Sequence, residues 1–174
     1  HAVVIDTGGP TEPIFDALRA QRLELVAVLC THHHVDHVLH NDAYAERFGC
    51  PICGHGAERE RFAALDRELA DGEELEVGAL RVRALHIPGH TEGQLAFLVN
   101  ERDVFTGDTL FQGSVGGTRA PGHGTIDQLK SSILDVLLAL PPATRVHPGH
   151  MHATTVAREL DENPFVRLWR GQDT

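Results

Sequence analysis

Positive charge is in short supply in this sequence. Its 174 residues hold 15 Lys and Arg against 25 Asp and Glu, a formal net charge of −10 with the 13 histidines neutral. The only lysine is Lys130, a bias that carries no functional message. Nucleic-acid binding needs a basic face, so this balance argues against it. An anionic membrane surface is disfavoured for the same reason. No run of about 18 apolar residues occurs, so no spanning helix is expected. Three cysteines, Cys30, Cys50 and Cys53, are too few for a disulfide framework in a chain this long. Cys50-Pro51-Ile52-Cys53 is a lone CxxC, which without a second pair reads as a helix end running into a short buried strand. A reducing cytoplasm is the expected setting. The sequence opens without an initiator Met, and no signal peptide is expected. The chain opens on "HAVVIDTGG", an apolar run that reads as an interior strand, so a leading segment is expected ahead of this numbering.

What is present reads as an ordinary globular protein, 41% hydrophobic and 23% charged. One domain over residues 1–174 is expected. "AVVID" and Leu25 to Cys30 read as buried strands, with a helix between them from Pro13 to Gln21 and Thr11 as its cap. That order predicts a strand–helix–strand crossover and an α/β class. "NDAYAERFG" and "GAERERFAAL" read as helices, the first stopped by Gly49. "DGEELEVGALRVRALH" alternates and turns at Gly78, the pattern of a hairpin. "QLAFLVN" and "DVFTGD" are two further strands, followed by a glycine-rich loop. Ile126 to Leu140 is a periodic helix, "TRVHPGH" a last strand and loop, and residues 153–162 a closing helix before a tail.

"THHHVDH", residues 31–37, packs four histidines and an aspartate into seven positions at the end of an apolar strand. A bare histidine run is usually a solvated patch. Here partners follow at later strand ends: His90 in "IPGHTEG", Asp108 in "FTGDTLF" and His150 in "HPGH". Strands of one sheet end on one edge, so these side chains can converge. Imidazole and carboxylate suit Zn²⁺, Fe²⁺ and Mn²⁺ and need no thiolate. His32 and His34, two apart, point the same way in an extended loop, while His33 faces away and is no ligand. Asp36 and His37 lie further round the turn and can face a second ion. Two ions need a bridge, and Asp108 is the candidate.

The form His-x-His-x-Asp-His, with "PGHTEG", "GDTLF" and "PGH" in that order, resembles the metallo-β-lactamase superfamily. The resemblance covers almost every segment. It implies a four-layer αββα sandwich (an α+β arrangement) with a metal site on the sheet edges. It implies one ion on His32, His34 and His90, a second on Asp36, His37 and His150, and Asp108 between them. It also implies strands of the first sheet ahead of residue 1. "GDTLFQGSVGGT", "LKSSILDVLLALPPATRVHPGH" and "ARELDENPF" are similar to small glyoxalase II-like hydrolases. The β-lactamases of the superfamily generally lack the bridging aspartate, so Asp108 counts against antibiotic hydrolysis. Two departures bear on substrate. The related Gly-Arg-Thr/Ser-Asp loop is here Gly116-Gly117-Thr118-Arg119, and the sequence ends soon after His150, so the C-terminal helical domain of the larger enzymes is not expected here.

The expected activity is hydrolysis of a thioester such as S-lactoylglutathione, with Asp36 and Asp108 as the catalytic carboxylates. A hydroxide held by two divalent ions, zinc first and iron or manganese next, would attack the carbonyl. A thiol of pKa about 8.5 leaves without a dedicated acid. The rival is a persulfide dioxygenase of the same fold, with one iron on His32, His90 and Asp108. A lactonase and a non-catalytic metal-binding protein stand further off. Asp6 is expected to orient a ligand histidine, His86 and His147 to sit in the core or behind the ligands, and Asp103 in a solvated turn. His40, His55, His123 and His152 are expected in loops or on the surface, with His55 or His123 as the alternative candidates to line the cleft, and Arg119 is a surface residue or a contact for a substrate carboxylate.

Overall fold

A computed structural model describes residues 1–172. The last two residues of the expected tail, 173 and 174, lie outside the described residues. Two sheets face each other, and helices cover both outer faces. The first sheet is parallel, in the order β1 (Ala2–Ile5), β2 (Leu25–Leu29), β3 (Ile52–Gly54) and β4 (Arg67–Glu68). The second holds the hairpin β5 (Glu74–Val77) and β6 (Leu80–His86), then β7 (Leu95–Val99) and β8 (Asp103–Gly107). A small separate hairpin follows, β9 (Leu110–Phe111) with β10 (Ser114–Val115). β11 (Arg145–Pro148) then joins β8 in parallel, and β12 (Thr154–Thr155) completes the edge.

Period-two alternation builds the layers. In β2, Ala27 and Leu29 turn inward against Val82, Ala84, Leu95 and Phe97 of the second sheet. Val28 and Cys30 turn outward, onto α1 (Thr11–Gln21) and α3 (Asn41–Phe48), where Phe15, Leu18 and Tyr44 pack. On the far side, Leu85, Ala96, Leu98 and Val104 face α4 (Ile126–Ser131), α5 (Val156–Glu162) and α6 (Pro164–Trp169). The expected αββα sandwich is the observed one. The three cysteines are buried and free. Among the described residues no helix is long and apolar enough to cross a membrane.

Several expected elements differ in detail. α1 begins at Thr11, not Pro13, and Thr11 is its first residue rather than its cap. Pro13 sits in the first turn, where no helical N–H bond is lost. The run expected to be helical from Gly56 is a 3₁₀ helix only to Arg61, and Arg67–Glu68 is a strand. The long helix from Ile126 is α-helical to Ser131 and π-helical over Ser132–Leu137. Its start is a capping box, Thr125 with Gln128. The tail carries α6, capped by Asn163, whose side chain accepts from Phe165 N and Val166 N, with Pro164 at the first helical position. Asp103 does not sit in a solvated turn. It opens β8 and pairs with Arg145 and with His147 Nε2, the latter at 2.8 Å.

Candidate metal centre

β6, β8 and β11 run the same way, because β7 is antiparallel to both β6 and β8 while β11 is parallel to β8. Their carboxyl ends share one edge, and β2 of the facing sheet delivers its own end there. His90, Asp108 and His150 follow the first three, and residues 31–37 follow β2. Both Pro-Gly-His turns depend on their glycine. Gly89 has φ +142°, and a Cβ there would fall into the Leu129 backbone of α4. A Cβ at Gly149 would collide with the Asp108 carboxylate and with His37 Cε1, at 2.5 Å. The turns thus press the chain against α4 in one case and against the centre itself in the other. The second histidine of each turn is not equally open: His90 is buried, whereas His150 is exposed.

Three groups among the described residues could hold a metal ion: His32 with His34 and His90; Asp36 with His37 and His150; and His32 with His37 and Asp108. In the first, His34 Nδ1 lies 2.9 Å from His32 Nε2 and 3.1 Å from His90 Nε2. The outer nitrogens are occupied. The Thr31 hydroxyl donates to Asp6 Oδ2 at 2.8 Å, so it accepts from His32 Nδ1, 3.0 Å away. His90 Nδ1 donates to the Gly117 carbonyl at 2.9 Å. Lone pairs on both Nε2 atoms therefore point inward at one spot. Burial holds His32 and His90 below the usual imidazole range and brings His34 down to about 4, so all three are neutral at pH 7. Neutral imidazoles are what a metal takes. Two ligands each about 2.0–2.1 Å from a tetrahedral ion stand about 3.3 Å apart, close to the spacing here.

In the second group, His150 Nε2 is 3.2 Å from Asp36 Oδ2, and His37 Nε2 is 3.9 Å from the same oxygen. The stretch from Val35 to Val38 is not extended loop but the short helix α2, which carries Asp36 and His37 round to this side. Asp6, at φ 57°, takes Thr31 N at 2.7 Å on Oδ1 and His37 Nδ1 at 2.7 Å on Oδ2. It holds the ring of His37, a candidate ligand. Asp108 stands between the groups. Its Oδ1 is 3.3 Å from His37 Nε2, and its Oδ2 is 3.4 Å from His150 Nε2 and 3.9 Å from His90 Nε2. His37 Nε2 and Asp108 Oδ1 are buried and lack an aligned hydrogen bond. Such orphaned atoms are rare without a reason, and a cation between them supplies one. Burial pulls His37 down, yet the carboxylates of Asp108 and Asp6 beside it lift it to about 10 without a metal. The residues present fit a pair of divalent ions.

His33 stands outside all three groups, as expected. It serves another residue. Glu58, 1% exposed, accepts from His33 N at 2.9 Å and Gly93 N at 3.0 Å, and lies 3.0 Å from His33 Nδ1. It ties the loop of His32 and His34 to the loop of His90. Sequence reasoning missed Glu58, because one glutamate among the charges of "GAERERF" reads as the wet face of a helix. His86 is not behind the ligands. It stacks on His55 with centroids 4.1 Å apart and contacts the Glu92 carbonyl, so neither ring lines the centre. His147 stacks on Phe105 in β8. His123 does line the centre, its Nε2 3.3 Å from His34 Nε2. Arg119 is exposed on the surface.

Known proteins share this fold. A family model described as the metallo-beta-lactamase superfamily matches residues 1–150. The hydroxyacylglutathione hydrolase GloC of Haemophilus influenzae is 34% identical, over 95% of this chain and 87% of its own. The solved structure of the BLEG-1 B3 metallo-beta-lactamase is 33% identical with a TM-score of 0.88, covering 95% of this chain and 88% of that one. The structure of ETHE1 from Myxococcus xanthus is 32% identical with a TM-score of 0.84, covering 94% and 73%. With the match running from the first strand through every residue of the candidate centre, the chain belongs to the metallo-beta-lactamase superfamily.

Proposed function

We propose that this chain hydrolyses a thioester, with one divalent ion on His32, His34 and His90 and a second on Asp36, His37 and His150. The observation that carries the reading is Asp108, whose two oxygens reach His37 on one side and His150 and His90 on the other. A carboxylate so placed would serve both ions. Five imidazoles and two carboxylates, with no thiolate, suit zinc first and iron or manganese next. Ions bound there would supply hydroxide at neutral pH and positive charge for the carbonyl oxygen. The chain's own residues do the rest. Asp108 is buried and fixes the spacing. Asp36 has its side chain 58% exposed, so it faces the side from which water and substrate arrive, and it orients the nucleophile. A thiol of pKa about 8.5 departs as thiolate and needs no protonating residue.

The named activity of GloC supports a glutathione thioester as the first substrate to try. Three buried free thiols suit a reducing cytoplasm. A second reading, a persulfide dioxygenase with one iron on His32, His90 and Asp108, draws support from the ETHE1 neighbour and from the 3.9 Å between His90 Nε2 and Asp108 Oδ2. The test is elemental analysis of the purified protein, joined to assays of S-lactoylglutathione hydrolysis and of oxygen uptake with glutathione persulfide. A β-lactam belongs in the same panel because of BLEG-1. Two ions per chain with thioester cleavage and no oxygen uptake is expected. One iron with rapid oxygen uptake would sink the hydrolase.

A further inference from the structure

Four imidazoles of the centre each turn one nitrogen inward, and each needs something to hold the other. For three of them the holder is an ordinary acceptor. His32 Nδ1 meets the Thr31 hydroxyl at 3.0 Å, His37 Nδ1 meets Asp6 Oδ2 at 2.7 Å, and His90 Nδ1 meets the Gly117 carbonyl at 2.9 Å. His34 is turned the other way. Its Nδ1 faces the ligand group, which leaves Nε2 outside, and the atom opposite is His123 Nε2 at 3.3 Å. We propose that His123 is the positioning residue for His34: it accepts the His34 Nε2–H and so keeps the Nδ1 lone pair aimed at the first ion.

The tautomers follow from this. A lone pair on His34 Nδ1 requires the proton on Nε2. His123 Nε2 must then be the acceptor, which puts its own proton on Nδ1. The Gly117 carbonyl stands beside the His123 ring as an acceptor, which suits a proton on Nδ1, although the bond is not well aligned. The loop is also fixed. Gly124 N donates to the Gly89 carbonyl at 3.0 Å, tying the His123 loop to the turn that carries His90. The His123 ring lies 4.7 Å from His90 and 5.2 Å from His34, centroid to centroid. Its Nε2 faces the outer nitrogen of His34, so His123 supports the ligand group and does not join it.

The proposal rests on the metal-centre reading but not on the thioesterase activity. The test uses the full chain with zinc, as wild type, His123→Phe and His123→Gln. Ion affinities are read by competition with a chromophoric chelator, and thermal melting is followed after full chelation. Phenylalanine keeps the ring volume and removes the acceptor. It should weaken one ion about 10- to 100-fold, the range for lost outer partners of ligand histidines, and leave the other ion and the chelated melting temperature unchanged. Glutamine restores an acceptor oxygen and should recover most of the affinity. The proposal is overturned if His123→Phe binds both ions like wild type, or if His123→Gln is no better than His123→Phe. A fall in the chelated melting temperature with no ion-specific loss would assign His123 to packing and overturn it too. Wild type that binds no divalent ion would overturn this and the proposed function together. Failure to cleave any thioester would sink the function alone.

Discussion

Glu58→Ala is the substitution whose cost can be worked out most directly. The carboxylate is 1% exposed, so solvent does not screen its bonds. It accepts two backbone N–H groups, His33 N at 2.9 Å and Gly93 N at 3.0 Å, and stands 3.0 Å from His33 Nδ1. Burial works to raise its pKa, yet the bonds from His33, Thr91 and Gly93 hold it below the usual carboxylate range. Alanine would leave both N–H groups buried without partners, at about 1–3 kcal/mol each. The net loss should be about 4 kcal/mol, against a typical total of about 5–15 kcal/mol. In a chain of this size that lowers Tm by about 8–16 °C. Urea unfolding at fixed zinc and pH 7.5 measures it. Glu58→Gln keeps one acceptor oxygen and should lose about half as much. The linkage has a definite sign. A depressed carboxylate stabilises the fold above its unfolded pKa of about 4.3, and that contribution is lost as pH falls through the lower folded value. The gap between wild type and Glu58→Gln should therefore close in acid. A loss under about 1 kcal/mol for Glu58→Ala would refute the reasoning, because it would mean the two N–H groups find water or other partners.

Other substitutions separate ligands from supports. Asp108→Ala should lose at least one ion and cut kcat by 100-fold or more, read by elemental analysis and steady-state kinetics; full activity would end the bridging role. His33→Ala should keep both ions, since His33 stands outside every ligand group, while losing some stability through Glu58. Gly149→Ala should weaken metal binding with little change in far-UV circular dichroism, because the atoms its Cβ would strike first belong to His37 and Asp108. Zinc binding at pH 8 should release about two protons, one from His37, lifted to about 10 in the metal-free protein and obliged to give up its Nε2 proton to become a ligand, and one from the water that becomes hydroxide. Calorimetry in buffers of different ionisation enthalpy counts them, and release of one proton or fewer would contradict the charged His37 or the bound hydroxide. The same raised pKa stabilises the chelated fold fully below about pH 6.5, and the contribution fades as pH climbs through about 10.

The candidate ligands that the structure brings together could be picked out in the sequence because each sits directly after an apolar strand, and strand ends are the most legible points of an α/β chain. His32, His90, Asp108 and His150 needed only that rule. The supports were legible where local chemistry is short-range, as with Asp6 at the turn beyond β1. They were illegible where the partner is far along the chain. Glu58 lies 25 residues from His33 and 35 from Gly93. Nothing local distinguishes it from Glu60, and the pull of its carboxylate under the two loops accompanies a 3₁₀ turn where periodicity promised an α-helix. α6 is the opposite case. Asn163-Pro164 is a helix start in plain view, and reading it as tail overlooked a cap that needs no distant contact. His123 lies between these extremes. Its loop position was clear, but its use depends on which nitrogen His34 turns inward. That choice is made by Nδ1 of His34 meeting Nε2 of both His32 and His90, a three-ring arrangement that no linear spacing encodes.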